Sequence, residues 1–150
     1  MQSFRRGQSS LELLLVAAAL LVFFVVLLPS FSRVYEGVRF HSVNSAQGEV
    51  LERLASYSRE AFLLGQDTRF SFDAFLPADS TSITCGVAAG GLEGGLSMSF
   101  SAFGRQGSFE KPLVACSSDA FLEDGMPSGK YSFLIANSGG KVEISARQAE

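Results

Sequence analysis

Arg5-Arg6-Gly7-Gln8-Ser9-Ser10-Leu11-Glu12 stands directly before sixteen uncharged apolar residues, 13–28. At 1.5 Å per residue such a run makes roughly 24 Å of helix, and counting back to Ser9 or on to Phe31 brings it near the ~30 Å hydrocarbon core of a bilayer. The segment is long enough to span a membrane. A carboxylate one step inside it is a costly placement in hydrocarbon, where an intramembrane charge usually has a partner.

The rest of the composition narrows the choices. At 150 residues there is room for one modest domain and an anchor. The net charge is −3, and removing a leader that holds Arg5 and Arg6 takes it to about −5, with no basic cluster elsewhere. Nucleic acid is therefore not an expected partner. The sole histidine, His41, falls in a polar helical stretch, and the two cysteines, Cys85 and Cys116, stand far apart. Neither zinc-ligand spacing nor a Cys-x-x-Cys pair can be assembled from them. Gly90-Gly91-Leu92-Glu93-Gly94-Gly95 lacks the Lys-Ser/Thr of a phosphate loop, and Glu123-Asp124-Gly125 has too few ligands for calcium. No nucleophile, base and orienting group can be named, so the expectation is a non-enzymatic chain with no catalytic, cofactor or metal residues.

Three fates are open to the apolar run. A basic start, an apolar core and Ala17-Ala18-Ala19 have the general form of a secretory signal. The run continues well past those alanines, however, and no small-x-small site follows Leu28. A permanent single-span anchor is the second possibility, with Arg5 and Arg6 weakly favouring a cytoplasmic N-terminus. The third comes from the flank itself. Arg6-Gly7 followed by Gln8-x-Ser10-x-Glu12 resembles the class III signal peptide of archaeal type IV pilin-like proteins.

That resemblance implies cleavage by a prepilin peptidase between Gly7 and Gln8, with the hydrophobic helix kept on the mature chain. It also implies a homopolymeric filament, a cytoplasmic assembly ATPase and a membrane platform protein as partners. The precursor would lie in the cell membrane with its N-terminus inside, and the product in an extracellular filament serving adhesion. Gly7 offers a bond without side-chain obstruction, and Ser9 and Ser10 can cap the helix start. The amino group of Gln8 and the carboxylate of Glu12 would each be expensive to bury alone, so a neighbour's Gln8 meeting this Glu12 relieves both penalties. Pro29 removes a backbone donor and clashes with the carbonyl of Val25, so a kink or local melting is expected there, or the end of the membrane helix.

Beyond Pro29, Phe40, Val43, Val50, Leu54, Tyr57, Ala61 and Leu64 recur at helical intervals, with Gly65 placed to cap. After Gly65 the period drops to two: Phe70, Phe72 and Ala74; Ile83, Cys85 and Val87; Leu96, Met98, Phe100 and Ala102; Val114 and Cys116; Tyr131, Phe133 and Ile135; Val142 and Ile144. Asn137-Ser138-Gly139-Gly140 and Gly104-Arg105-Gln106-Gly107 read as hairpin connections. The fold expected is α+β and type IV pilin-like, with a long helix, half transmembrane and half amphipathic, on an antiparallel sheet of five or six strands. Its parts are a leader, 1–7; a hydrophobic helix, 8–31; an amphipathic helix, 32–64; and a β-rich extracytoplasmic head, 65–150, whose loops 88–95 and 117–129 are placed to bind. A disulfide between Cys85 and Cys116 would add roughly 3 to 4 kcal/mol, the alternative being two buried thiols. A different class of function fits the same features: a single-span surface protein whose sheet binds a ligand and never polymerises.

Overall fold

The computed structural model describes residues 3–87, 93–114 and 125–149, with side chains described over 11–86, 94–112 and 125–149. In chain order the elements are α1 (Ser3–Leu64), β1 (Arg69–Val87), β2 (Glu93–Ala102), β3 (Arg105–Val114), β4 (Met126–Ser138) and β5 (Lys141–Gln148). The expected α+β arrangement, a long N-terminal helix and an antiparallel sheet, is present. Two compact units divide the chain, Met1–Arg39 and Phe40–Glu150.

In the second unit, the C-terminal part of α1 lays one face on the sheet. Val43, Gln47, Val50, Leu51, Leu54, Ser58 and Ala61 are buried at steps of three and four, the spacing that keeps side chains on one side of a helix. Val43, Val50, Leu54 and Ala61 sit as the sequence predicts, and Phe40 and Tyr57 are half-buried at the margins. Leu64 does not: it is 64% exposed. The stripe stops at Ala61 because Gly65, at φ +94°, ends the helix one residue after Leu64 and turns the chain away. Leu51 fills the stripe from the sheet side, joined by two buried polar residues that hydropathy does not flag.

The sheet order is β3-β2-β1-β4-β5, every neighbouring pair antiparallel. Two segments predicted as separate strands, around residues 70–74 and 83–87, are one strand, β1, because alternation continues through a bulge between Leu76 and Ser80. The even residues Leu76, at the start of the bulge, and Ala78, within it, are buried; after it the odd residues Thr81 and Ile83 are. An irregularity of this kind moves the inward set from one parity to the other. The N-terminal half of β1 pairs with β4, and the C-terminal half pairs with β2. Pro77, which has no N–H to donate, sits within the irregular stretch where its missing donor costs no ladder bond.

Two hairpins, β4–β5 and β2–β3, turn on two residues with positive φ, the geometry that matches strand twist. In β4–β5 these are Gly139 and Gly140, as expected. In β2–β3 the turn is Phe103-Gly104, at φ 53° and 72°, so Arg105, Gln106 and Gly107 belong to β3 rather than to a loop. The carboxylate of Asp79 accepts the Phe103 N–H at 3.1 Å and holds this unusual turn. The predicted strand at Val114 and Cys116 is the end of β3, which runs to Val114; Cys116 lies outside the described residues. Of the expected loops, residues 93–95 belong to β2 and residues 126–129 to β4, while 88–92 and 117–124 lie outside the described residues.

Between α1 and the sheet lies the core of Leu51, Leu54, Leu76, Ile83, Leu96, Met98, Phe133 and Ile135, all fully buried. Each such side chain contributes about 1.5–3 kcal/mol by leaving water. Rings extend the core in two directions: Tyr57 stacks on Phe70 at 5.6 Å, with Phe72 and Phe133 beyond, while Phe100 lies between Phe40 and Phe109, 6.0 Å from each.

Candidate membrane and assembly surface

In the first unit the surface is set by α1 alone. From residue 13 to residue 32 no side chain is charged, and an 18-residue window of this helix reaches mean hydropathy 3.0 with none of it buried. By length and composition it is long and apolar enough to cross a membrane. Leu13 is 74% exposed, Val25 68% and Phe31 66%, and large apolar residues lie on every side of the helix. Covering them is worth a few tens of kcal/mol at about 1.5–3 kcal/mol per side chain. Isolated apolar side chains are ordinary on protein surfaces, but a contiguous sleeve on this scale is one that a membrane anchor or a signal sequence presents.

Glu12 stands exposed at the N-terminal end of the sleeve. Gly7 and Gln8 fall within α1, which begins at Ser3. The expected capping role of Ser9 and Ser10 does not hold in the uncut chain, since both lie inside the helix and not at its start. Severing the chain after Gly7 would place them in the first turn of the new helix.

Pro29 lies inside α1, so of the alternatives expected there, a kink or local melting, melting does not occur. The helix continues because its other bonds persist around one missing N–H. Two hydroxyls nearby turn back on the helix: Ser30 Oγ donates to the Val26 carbonyl at 3.3 Å and Ser32 Oγ to the Leu28 carbonyl at 3.1 Å. Such bonding to the preceding turn hides polar groups within an apolar sleeve. The first charges beyond the sleeve are Arg33, Glu36 and Arg39, and the Arg39 guanidinium lies 5.7 Å from the centre of the Tyr35 ring.

The sheet supplies a second, polar feature. On the face of β1, β2 and β3 turned away from the helix, Ser80 pairs across to Ser101 and Gln106, and Ser82 to Ser99 and Ser108. These residues line an open concavity of about 400 Å³. Sequence reasoning missed it, although serine at alternate positions of the strands was the available signal. Gly125 N–H donates to Ser82 Oγ at 3.2 Å at its margin. Among the described residues no group of three or more His, Cys, Asp or Glu side chains is placed to hold a metal ion. His41 is exposed on α1.

Cys85 packs against Ala55 of α1 and is not a free thiol. Its expected partner, Cys116, lies outside the described residues, as do Gly90, Gly91, Leu92, Glu123 and Asp124.

No protein-family model matches this chain, and no curated protein or solved structure matches it either.

Proposed function

We propose that this chain is a structural subunit of an extracellular, type IV pilus-like filament serving adhesion, inserted first in the cell membrane with its N-terminus cytoplasmic. A prepilin peptidase cuts between Gly7 and Gln8. An assembly ATPase and a membrane platform protein then move the chain from lipid into a polymer of its own kind. The observation that carries this reading is the unburied apolar sleeve of α1 with Glu12 at its N-terminal end. A signal sequence destined for removal needs no such carboxylate, whereas stacked subunits gain register when Glu12 meets the Gln8 amine of a neighbour. Pro29 adds a place where the helix can lengthen or bend at little cost during packing, since one backbone bond is already missing there. A disulfide between Cys85 and Cys116 would fix the head outside the cell.

Mass spectrometry of the native product tests the reading. A mature N-terminus at Gln8, together with loss or thinning of surface fibres in cells lacking the chain, supports it. An intact Met1, or a cut beyond Leu28, refutes it.

The hydroxyl-lined concavity on the sheet favours a second reading, a single-span surface protein that binds a polar ligand on β1–β3 and stays monomeric. Retention of the full-length chain as a monomer in the membrane, with the assembly machinery present, would select it.

A further inference from the structure

The unbroken course of α1 through Pro29 changes the measure of its apolar part. The uncharged helical stretch is not the sixteen residues 13–28 but the twenty residues 13–32, and at 1.5 Å per residue it is roughly 30 Å long, the thickness of a bilayer's hydrocarbon core. Charge stands at each end of this length, Glu12 before it and Arg33 after it. Within it, the only hydroxyls near the far end, Ser30 and Ser32, are bonded to carbonyls of the preceding turn.

Beyond Arg33 the helix carries the residue types that settle at a lipid interface. Tyr35 is 65% exposed, and its ring has a polar tip on an apolar body. Side chains on a helix lean towards its N-terminus, and Arg39 follows this rule: its guanidinium has come back over the Tyr35 ring at 5.7 Å. The cationic head of Arg39 therefore lies near the level of residue 35, roughly 3 Å beyond Arg33 along the axis. The headgroup layer is about 5–7 Å deep on each side of the hydrocarbon, so the backbone at Arg33 and Tyr35 and the Arg39 guanidinium fall within it, and the long Arg33 side chain can turn outward to reach phosphate.

We propose that α1 is cut to the bilayer: residues 13–32 fill the hydrocarbon, Glu12 and Arg33 mark its two boundaries, and Arg33, Tyr35 and Arg39 form a collar on phospholipid headgroup phosphates that sets the depth of the chain. This rests on the membrane residence assumed in the functional proposal and adds its geometry. One consequence separates it from a simple anchor. In lipid, Glu12 reaches the interface and keeps its water, and it loses that water only when helices pack side by side.

The chain contains no tryptophan, so single tryptophans report depth without background. The full chain carrying Phe23→Trp, Tyr35→Trp or His41→Trp is reconstituted in phosphatidylcholine vesicles with brominated acyl chains, and quenching by lipid is compared with quenching by aqueous iodide. The expected order is strong lipid quenching and no iodide quenching at position 23, both at position 35, and iodide alone at position 41. Adding Arg33→Leu, which extends the uncharged stretch to residue 35, should bury Tyr35→Trp and lower its iodide quenching several-fold. Co-sedimentation with vesicles but iodide-only quenching at position 35, or no response to Arg33→Leu, overturns the depth assignment and leaves membrane residence standing. Failure to sediment with vesicles overturns both.

Discussion

The side-chain amide of Asn137 donates to the backbone carbonyl of Ala61 at 3.0 Å, joining the last turn of α1 to the β4–β5 hairpin. The same residue is 4% exposed and spends every polar group it has. Its amide oxygen accepts from Gly140 N–H at 3.1 Å, its N–H donates to the Thr68 carbonyl, and its carbonyl accepts from Asp67 N–H. Helix end, connecting turn and hairpin thus meet on one residue. The last carbonyls of any helix lack intrahelical donors, and here Asn137 supplies one from far along the chain.

Asn137→Ala should therefore destabilise the head domain by about 1–3 kcal/mol, the cost of leaving a buried acceptor without its donor. Asn137→Asp should cost more, since it sets a carboxylate against the Ala61 carbonyl. Urea unfolding of the full chain in detergent, followed by circular dichroism, measures both.

Gly107 is constrained by packing across the β2–β3 pair. A Cβ placed on it would lie 2.3 Å from Cζ of Phe100, a ring 4% exposed between Phe40 and Phe109. Gly107→Ala should cost about 1–3 kcal/mol through overpacking. Combining it with Phe100→Leu should be less destabilising than the sum of the two single changes, a coupling that a double-mutant cycle reads directly.

Ser58 is fully buried on the helix face, and its hydroxyl has no hydrogen-bond partner among the described residues. Ser58→Ala should leave stability unchanged or raise it by up to about 1 kcal/mol, because removing an unpaired buried polar group removes its desolvation cost. A clear loss in the unfolding midpoint would show that the hydroxyl is satisfied in solution.

Proline inside a helix is worse than alanine by about 3 kcal/mol, and α1 nevertheless runs through Pro29. Pro29→Ala should raise the thermal stability of the helical signal in detergent without adding helical residues. Under the filament proposal it should also stiffen the segment and lower fibre yield, seen by electron microscopy against unchanged membrane levels.

Under the filament proposal, Glu12→Gln should leave insertion and cleavage after Gly7 intact while cutting filament yield at least several-fold, since register would be lost with the charge pair. Filaments formed at normal yield and length would refute the assembly role of Glu12.

Much of this architecture was legible in residue periods. The helical stripe through Val43, Val50, Leu54 and Ala61, the Gly65 stop and the Gly139-Gly140 turn all follow from local rules. The change of parity between Phe72 and Ile83 was also visible, but a phase slip looks like a strand boundary unless the partner strand is known, and the bulge at 76–80 is defined only against β4. The Phe103-Gly104 turn escaped for a related reason. A bulky residue at positive φ is rare, and what holds it is the Asp79 carboxylate, 24 residues earlier. Gln47 and Thr81, bonded at 3.1 Å within the core, are likewise a pair no single segment announces. At the N-terminal end the motif of residues 7–12 is legible in the sequence alone, while the helical state of Pro29 needed coordinates.

The first strand made, β1, ends up in the middle of the sheet. Each hairpin, β2–β3 and β4–β5, closes through contacts near in sequence, a kind of pairing that forms quickly, and each then docks on a different half of the waiting strand. The sheet is thus completed from two sides, and the second side cannot be finished until β4 and β5 have been made. During synthesis one edge of β1 stays bare from the end of β1 at Val87 until β4 is made, the interval in which an unpaired strand is most exposed to misassembly. The proline and the irregular stretch at its centre break what would otherwise be a long flat template for the wrong neighbour.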